Sequence, residues 1–80
     1  MQFEQLIATR TRALLKERQW TQYQLALRGA IPFSTLSYIL NGKGKSVKSD
    51  TLLNICRGFE ISPGEFFNTD LFNLENIEDE

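Results

Sequence analysis

Few residue types in this chain could make or break a covalent bond. There is no histidine, so the commonest general base and the commonest metal ligand are both missing. The single cysteine, Cys56, can form neither an intramolecular disulfide nor a thiolate metal cluster within one chain. It stands in the apolar run Leu52-Leu53-Asn54-Ile55-Cys56, where a free thiol is expected to be a small buried hydrophobe. With no histidine to activate it, Cys56 is no credible nucleophile. No enzyme activity, cofactor or metal is therefore expected.

What remains is charge and hydrogen bonding. The formal net charge is −1, from nine basic and ten acidic residues. Spread evenly, that balance would argue against an avid polyanion binder. It is not spread evenly. Residues 1–68 carry all nine bases and five acids (Glu4, Glu17, Asp50, Glu60 and Glu65), a net of +4. Between Arg10 and Lys48 there are eight bases and one acid, Glu17, a net of +7. Residues 69–80 carry Asp70, Glu75, Glu78, Asp79 and Glu80 and no base. A concentrated basic block of this kind is the electrostatic footprint that nucleic acid requires.

At 80 residues the chain holds one small domain with a thin core. Its periodicity is helical throughout, with no convincing period-two run. A first helix is expected from Phe3 to Arg18, with Phe3, Leu6, Ile7, Thr11 and Leu14 on its inner stripe. A second runs from Thr21 to Arg28. Thr21-Gln22-Tyr23-Gln24 is a capping box, and Trp20 with Leu25 fits a hydrophobic staple. Gly29 is expected to stop that helix. A third helix runs from Pro32 to about Asn41, with Leu36, Ile39 and Leu40 inward and Phe33, Ser34, Ser37 and Tyr38 outward. After a basic loop, Ser49 or Asp50 caps a fourth helix carrying Leu52, Leu53, Ile55 and Cys56. It ends near Arg57, broken by Gly58. Ser62-Pro63-Gly64-Glu65 reads as a second capping box, opening a fifth helix with Phe66 and Phe67.

Two short helices joined by a tight turn inside a helical bundle are the layout of a helix-turn-helix. The string Thr21-Gln22-Tyr23-Gln24-Leu25-Ala26, continued by Ser34-Thr35-Leu36-Ser37-Tyr38-Ile39-Leu40-Asn41-Gly42-Lys43, closely resembles the Cro/repressor-type helix-turn-helix family. Asp50-Thr51-Leu52-Leu53, Ile55-Cys56 and Ile61-Ser62-Pro63-Gly64-Glu65-Phe66-Phe67 look like that family's last two helices. The resemblance covers about residues 3–68. It implies an all-α, compact five-helix, lambda-repressor-like DNA-binding domain over 1–68, followed by an acidic tail over 69–80. The sequence departs from the family in the turn, where Ala30 replaces the usual glycine. It also places Leu15 and Leu40 where many members pair an arginine with a glutamate. Both substitutes are apolar, so no charge is stranded, and the two are expected to touch.

The resemblance further implies that the third helix enters the major groove. The matching base-reading positions are Phe33, Ser34, Ser37 and Tyr38, with Thr35 nearby. Phe33 suits a thymine methyl, and the serines discriminate weakly. Thr21 and Gln22 stand at the start of the second helix, whose N-terminus suits a phosphate. Asn41, Lys43 and Lys45 match the loop that grips the flanking backbone. The first two turns of the third helix hold no Arg, Lys, Asn or Gln, so no bidentate reader of G or A is present there. Direct readout is expected to be modest, with DNA shape contributing more. Arg10, Arg12 and Lys48 are expected to be solvated charges.

The function so implied is that of a sequence-specific transcriptional regulator, a repressor of bacterial, phage or mobile-element type, binding a double-stranded operator as a homodimer. Phe66, Phe67, Leu71, Phe72, Leu74 and Ile77 are the candidates for a dimer surface. The tail has three readings: folding back or disorder, a dimer contact, or an acidic lid over the basic face. The alternative function is an antitoxin-like or regulatory subunit whose main ligand is a protein, held through the tail. No apolar run approaches the ~20 residues of a membrane span, and Met1-Gln2-Phe3-Glu4 has no secretory character, so a cytoplasmic location is expected.

Overall fold

The computed structural model describes residues 1–42 and 46–78. Five α-helices follow in order: α1 (Phe3–Arg18), α2 (Gln22–Gly29), α3 (Phe33–Leu40), α4 (Ser49–Phe59) and α5 (Pro63–Phe67). Two single-turn 3-10 segments follow, Asp70–Phe72 and Leu74–Asn76. The described residues contain no strand, so the expected all-α class holds.

The core takes Leu6, Ile7, Ala8, Leu14 and Leu15 from α1, Leu25 and Ala26 from α2, and Leu36, Ile39 and Leu40 from α3. Ile55, Cys56, Phe59 and Phe66 close it from α4 and α5. Leu15 and Leu40 belong to the same buried cluster. Thr11 is fully buried among these side chains, and its hydroxyl donates to the Ile7 carbonyl at 2.8 Å, so no polar group is stranded. Two stripe assignments need correction. Leu53 is exposed, because it follows Leu52 directly and adjacent helical residues point about 100° apart. Phe3 is also exposed, yet it stacks on Phe67 at 6.0 Å and meets Phe72 edge-on at 5.9 Å.

Three helices end in the same way. Gln19, Ala30 and Glu60 have φ of 59°, 54° and 59°, in the left-handed region that non-glycine residues enter at a cost of about 1 kcal/mol or more. The next residue's N–H then reaches back: Trp20 to Leu15 O at 2.9 Å, Ile31 to Ala26 O at 2.9 Å, Ile61 to Cys56 O at 3.0 Å. This is the Schellman arrangement, and Trp20, Ile31 and Ile61 pack their apolar side chains onto the core. Gly29 therefore does not stop α2; it is the last helical residue, and Ala30 takes the left-handed bend. Gly58 does not break α4, which continues to Phe59. Both glycines are used for a close approach of α2 to α4. A Cβ on Gly29 would lie 2.6 Å from the Asn54 carbonyl oxygen.

Other boundaries also shift. Pro32 is the N-cap of α3 rather than its first helical residue. Neither Ser49 nor Asp50 caps α4; Lys48 holds the cap position with no side-chain bond, and Asp50 accepts from the Thr51 N–H at 2.8 Å. Only half of the Ser62 box forms, with Ser62 Oγ accepting from the Glu65 N–H at 3.1 Å.

The tail folds back. Its Phe72 ring packs edge-on against Phe67 at 4.7 Å, and the Met1 ammonium pairs with Glu78 at 3.2 Å and donates to Asn76 O at 3.1 Å. Glu78 N–H donates to Met1 O at 3.0 Å, so the described tail lies along the start of α1. Most of the apolar surface considered for a dimer is thereby covered within one chain. Phe66 is buried, Phe67, Leu71, Phe72 and Ile77 are half-buried, and Leu74 stays exposed.

Candidate nucleic-acid interface

The candidate interface rests on α2 and α3, and the entry to α2 is held firmly. At α2, the Gln24 N–H donates to Thr21 Oγ1 at 3.2 Å and the Thr21 N–H donates to Gln24 Oε1 at 2.8 Å. The expected capping box is complete, and it fixes Gln22 as the first helical residue, half-exposed. Just before the cap, the Trp20 indole lies parallel to Phe59 at 5.5 Å. The Arg28 guanidinium sits 4.3 Å from the indole centroid and that of Arg18 5.3 Å. Such cation–π contacts anchor the segment that leads into α2.

The helical period divides α3 cleanly. Leu36, Ile39 and Leu40 point into the core, while Phe33, Ser34, Thr35 and Tyr38 are exposed and Ser37 is half-buried. No side chain caps its N-terminus, since Pro32 has none to offer. At the other end Asn41 is the C-cap, and its Nδ2 donates to Ser37 Oγ at 3.4 Å. Gly42 follows with φ of 71°. The Arg12 guanidinium donates to the Leu40 carbonyl oxygen, tying the last turn of α3 to α1. Arg10 does the same for α5, with Nε donating to Phe66 O at 2.8 Å and Nη2 to Glu65 O at 3.1 Å. The expectation that these two arginines are only solvated charges is therefore corrected. Each places a cation at a helix C-terminus, where the dipole favours it.

Thr21 and Gln22 stand at the start of α2, whose first turn meets the exposed face of α3 through Tyr23 and Phe33. Lys43 and Lys45, expected to grip a phosphate backbone, lie outside the described residues. An open groove of about 340 Å³ runs between α3 and the start of α4, lined by Thr35, Tyr38, Ile39, Val47, Lys48 and Asp50. One residue was missed. Tyr23, on the first turn of α2, is 61% exposed, and its ring lies 6.0 Å from that of Phe33. Its place off the Leu25/Ala26 face was the available signal.

The chemistry on offer is hydrogen bonding, apolar contact and positive charge. Cys56 is fully buried, which raises its thiol pKa and keeps it neutral and inert. No helix among the described residues is long and apolar enough to cross a membrane.

The family described as the Cro/C1-type HTH DNA-binding domain matches residues 11–70. A Bacillus subtilis (strain 168) protein described as the uncharacterized HTH-type transcriptional regulator YozG is 35% identical over 52 residues, covering 65% of this chain and 62% of the relative. The match thus spans less than two thirds of the relative's length. No solved structure matches the chain to a significant degree.

Proposed function

The chain belongs to the Cro/C1-type helix-turn-helix DNA-binding domain family, and from that premise we propose that it regulates transcription, as a repressor that occupies a double-stranded operator. In this reading α3 lies in the major groove, with Phe33, Ser34, Thr35, Ser37 and Tyr38 toward base edges. Thr21 and Gln22 approach one phosphate backbone from the start of α2, while Asn41, Lys43 and Lys45 hold the flanking one. A homodimer on two half-sites is the assembly that suits such a small reader.

The observation that carries the proposal is the division of α3. Its inner residues are consumed by the core, and its outer face contributes nothing to it. That face lies within the Arg10–Lys48 segment, where bases outnumber acids eight to one. The alternative, a regulatory subunit that grips a protein through its tail, has less support. The apolar tail residues Leu71, Phe72 and Ile77 are partly covered by the chain itself.

The test is selection of bound duplexes from a random pool. The expected product is a twofold-symmetric site with half-sites roughly one helical turn, about 10 base pairs, apart. A bound pool with no shared sequence would overturn specific operator recognition.

A further inference from the structure

We propose that Tyr23 and Phe33 together form a reader of the C5-methyl group of pyrimidines in the major groove. The inference rests on the DNA-binding reading above and names the chemical feature that the site recognises.

Phe33 opens α3 and Tyr23 lies on the first turn of α2. Their rings approach to 6.0 Å at an interplanar angle of 50°. Phe33 is 47% exposed and Tyr23 is 61% exposed, and neither belongs to the core cluster or to the partly buried residues packed against it. Two neighbouring aromatic rings left largely in water form a contiguous apolar patch, and each gives up part of a burial worth about 1.5–3 kcal/mol for a Phe-sized side chain. They touch each other across the helix-turn-helix, so each restricts the other's motion. An apolar surface thus stands at the tip of the reading helix.

The major groove limits what such a surface can meet. Base edges there present carbonyl oxygens, ring nitrogens and amino groups, all of which lose water against an aromatic ring. The one apolar group is the C5-methyl of thymine. A C5-methylated cytosine presents the same group. The rest of the outer side of α3 offers the hydroxyls of Ser34, Thr35 and half-buried Ser37 and the ring and hydroxyl of Tyr38, with no bidentate reader among them. Discrimination by apolar contact is therefore the strongest base-specific term this face can supply.

The test uses the full chain and a duplex recovered by selection. Each thymine is replaced in turn by deoxyuridine, which removes the methyl and leaves base pairing intact. In a second set, each such position carries cytosine or 5-methylcytosine. Burial of one methyl-sized group predicts a loss of about fourfold on thymine-to-deoxyuridine replacement at one or two positions of a half-site. Phe33→Ala is expected to bind the thymine and deoxyuridine duplexes equally, and Tyr23→Ala to show a reduced difference. Both residues lie outside the core, and circular dichroism checks that the variants fold. Rescue by 5-methylcytosine assigns recognition to the methyl of either base, and absence of rescue assigns it to thymine alone. The proposal is overturned if deoxyuridine is silent at every position, or if Phe33→Ala keeps the full methyl dependence. Failure to bind any duplex would remove the underlying DNA-binding reading as well.

Discussion

Gly29 and Gly58 face each other where α2 crosses α4. A Cβ on Gly58 would lie 3.1 Å from the Gly29 nitrogen, 3.3 Å from its Cα and 2.8 Å from Leu25 Cδ1. A Cβ on Gly29 would meet the Asn54 carbonyl oxygen at 2.6 Å. The obstacle to Gly29→Ala is backbone, which cannot step aside. The nearest obstacle to Gly58→Ala is the end of a flexible side chain. Overpacking of this kind costs about 1–3 kcal/mol, occasionally more, so Gly29→Ala should reach the upper end and Gly58→Ala fall below it. Urea denaturation of both variants checks the order.

Ala30 is the reverse case. Its φ of 54° is strained for alanine, and the residue is exposed. Ala30→Gly removes that strain but gives the unfolded chain more freedom. The net expectation is a gain of up to about 1 kcal/mol, read as a higher urea midpoint with an unchanged slope. DNA affinity should not move, since the turn keeps its shape.

Arg12 and Lys43 should separate stability from binding, with Lys48 as the neutral control. Arg12 donates to Leu40 O and holds the last turn of α3. Arg12→Ala should lower stability by about 1 kcal/mol, the worth of one hydrogen bond of this kind. Lys48 is exposed beside the groove along α3 and has no part in the core. Lys48→Ala should leave both the denaturation midpoint and the salt slope of DNA binding unchanged, as expected of a solvated charge, whereas Lys43→Ala should reduce that slope by about 1.

The tail should support the fold rather than shield the DNA face. The polar bonds that tie the described tail to the start of the chain go to Met1 and Gln2, and Arg12 lies about 15 Å further along, at 1.5 Å per residue. Removing residues 70–80 uncovers Phe3 and Phe67 and should cost about 2 kcal/mol, a large part of the stability of so small a domain. Affinity for DNA, measured well below the melting temperature, should change by less than about threefold at physiological salt, where the Debye length is about 8 Å. A tenfold tightening would show that the tail acts as a lid.

Much of this architecture was legible because local chemistry and packing agreed. Thr21 and Gln24 form the box that their spacing announces, and Leu36, Ile39 and Leu40 fall inward as the helical period requires. Three of the misreadings share one cause, a long-range contact. Gly29 and Gly58 look like helix breakers when only the chain is considered, but a second helix passing close by gives them a different use. Arg10 and Arg12 look like solvent-facing charges until the fold brings the carbonyls of Phe66 and Leu40 within reach, 56 and 28 residues away. Tyr23 sits inside the recognised motif, yet its partner Phe33 is ten positions on and meets it only through the turn. Long-range contacts of this kind leave no mark on periodicity.

The central claim is that the basic helix-turn-helix holds duplex DNA through its phosphates while α3 addresses the bases. Fluorescence anisotropy of a labelled duplex, titrated from about 50 to 300 mM salt, tests it most directly. Contact with four or more phosphates predicts that log K falls linearly with log salt, with a slope of about −4 or steeper. A slope near zero, or no binding at about 50 mM salt, would contradict the account.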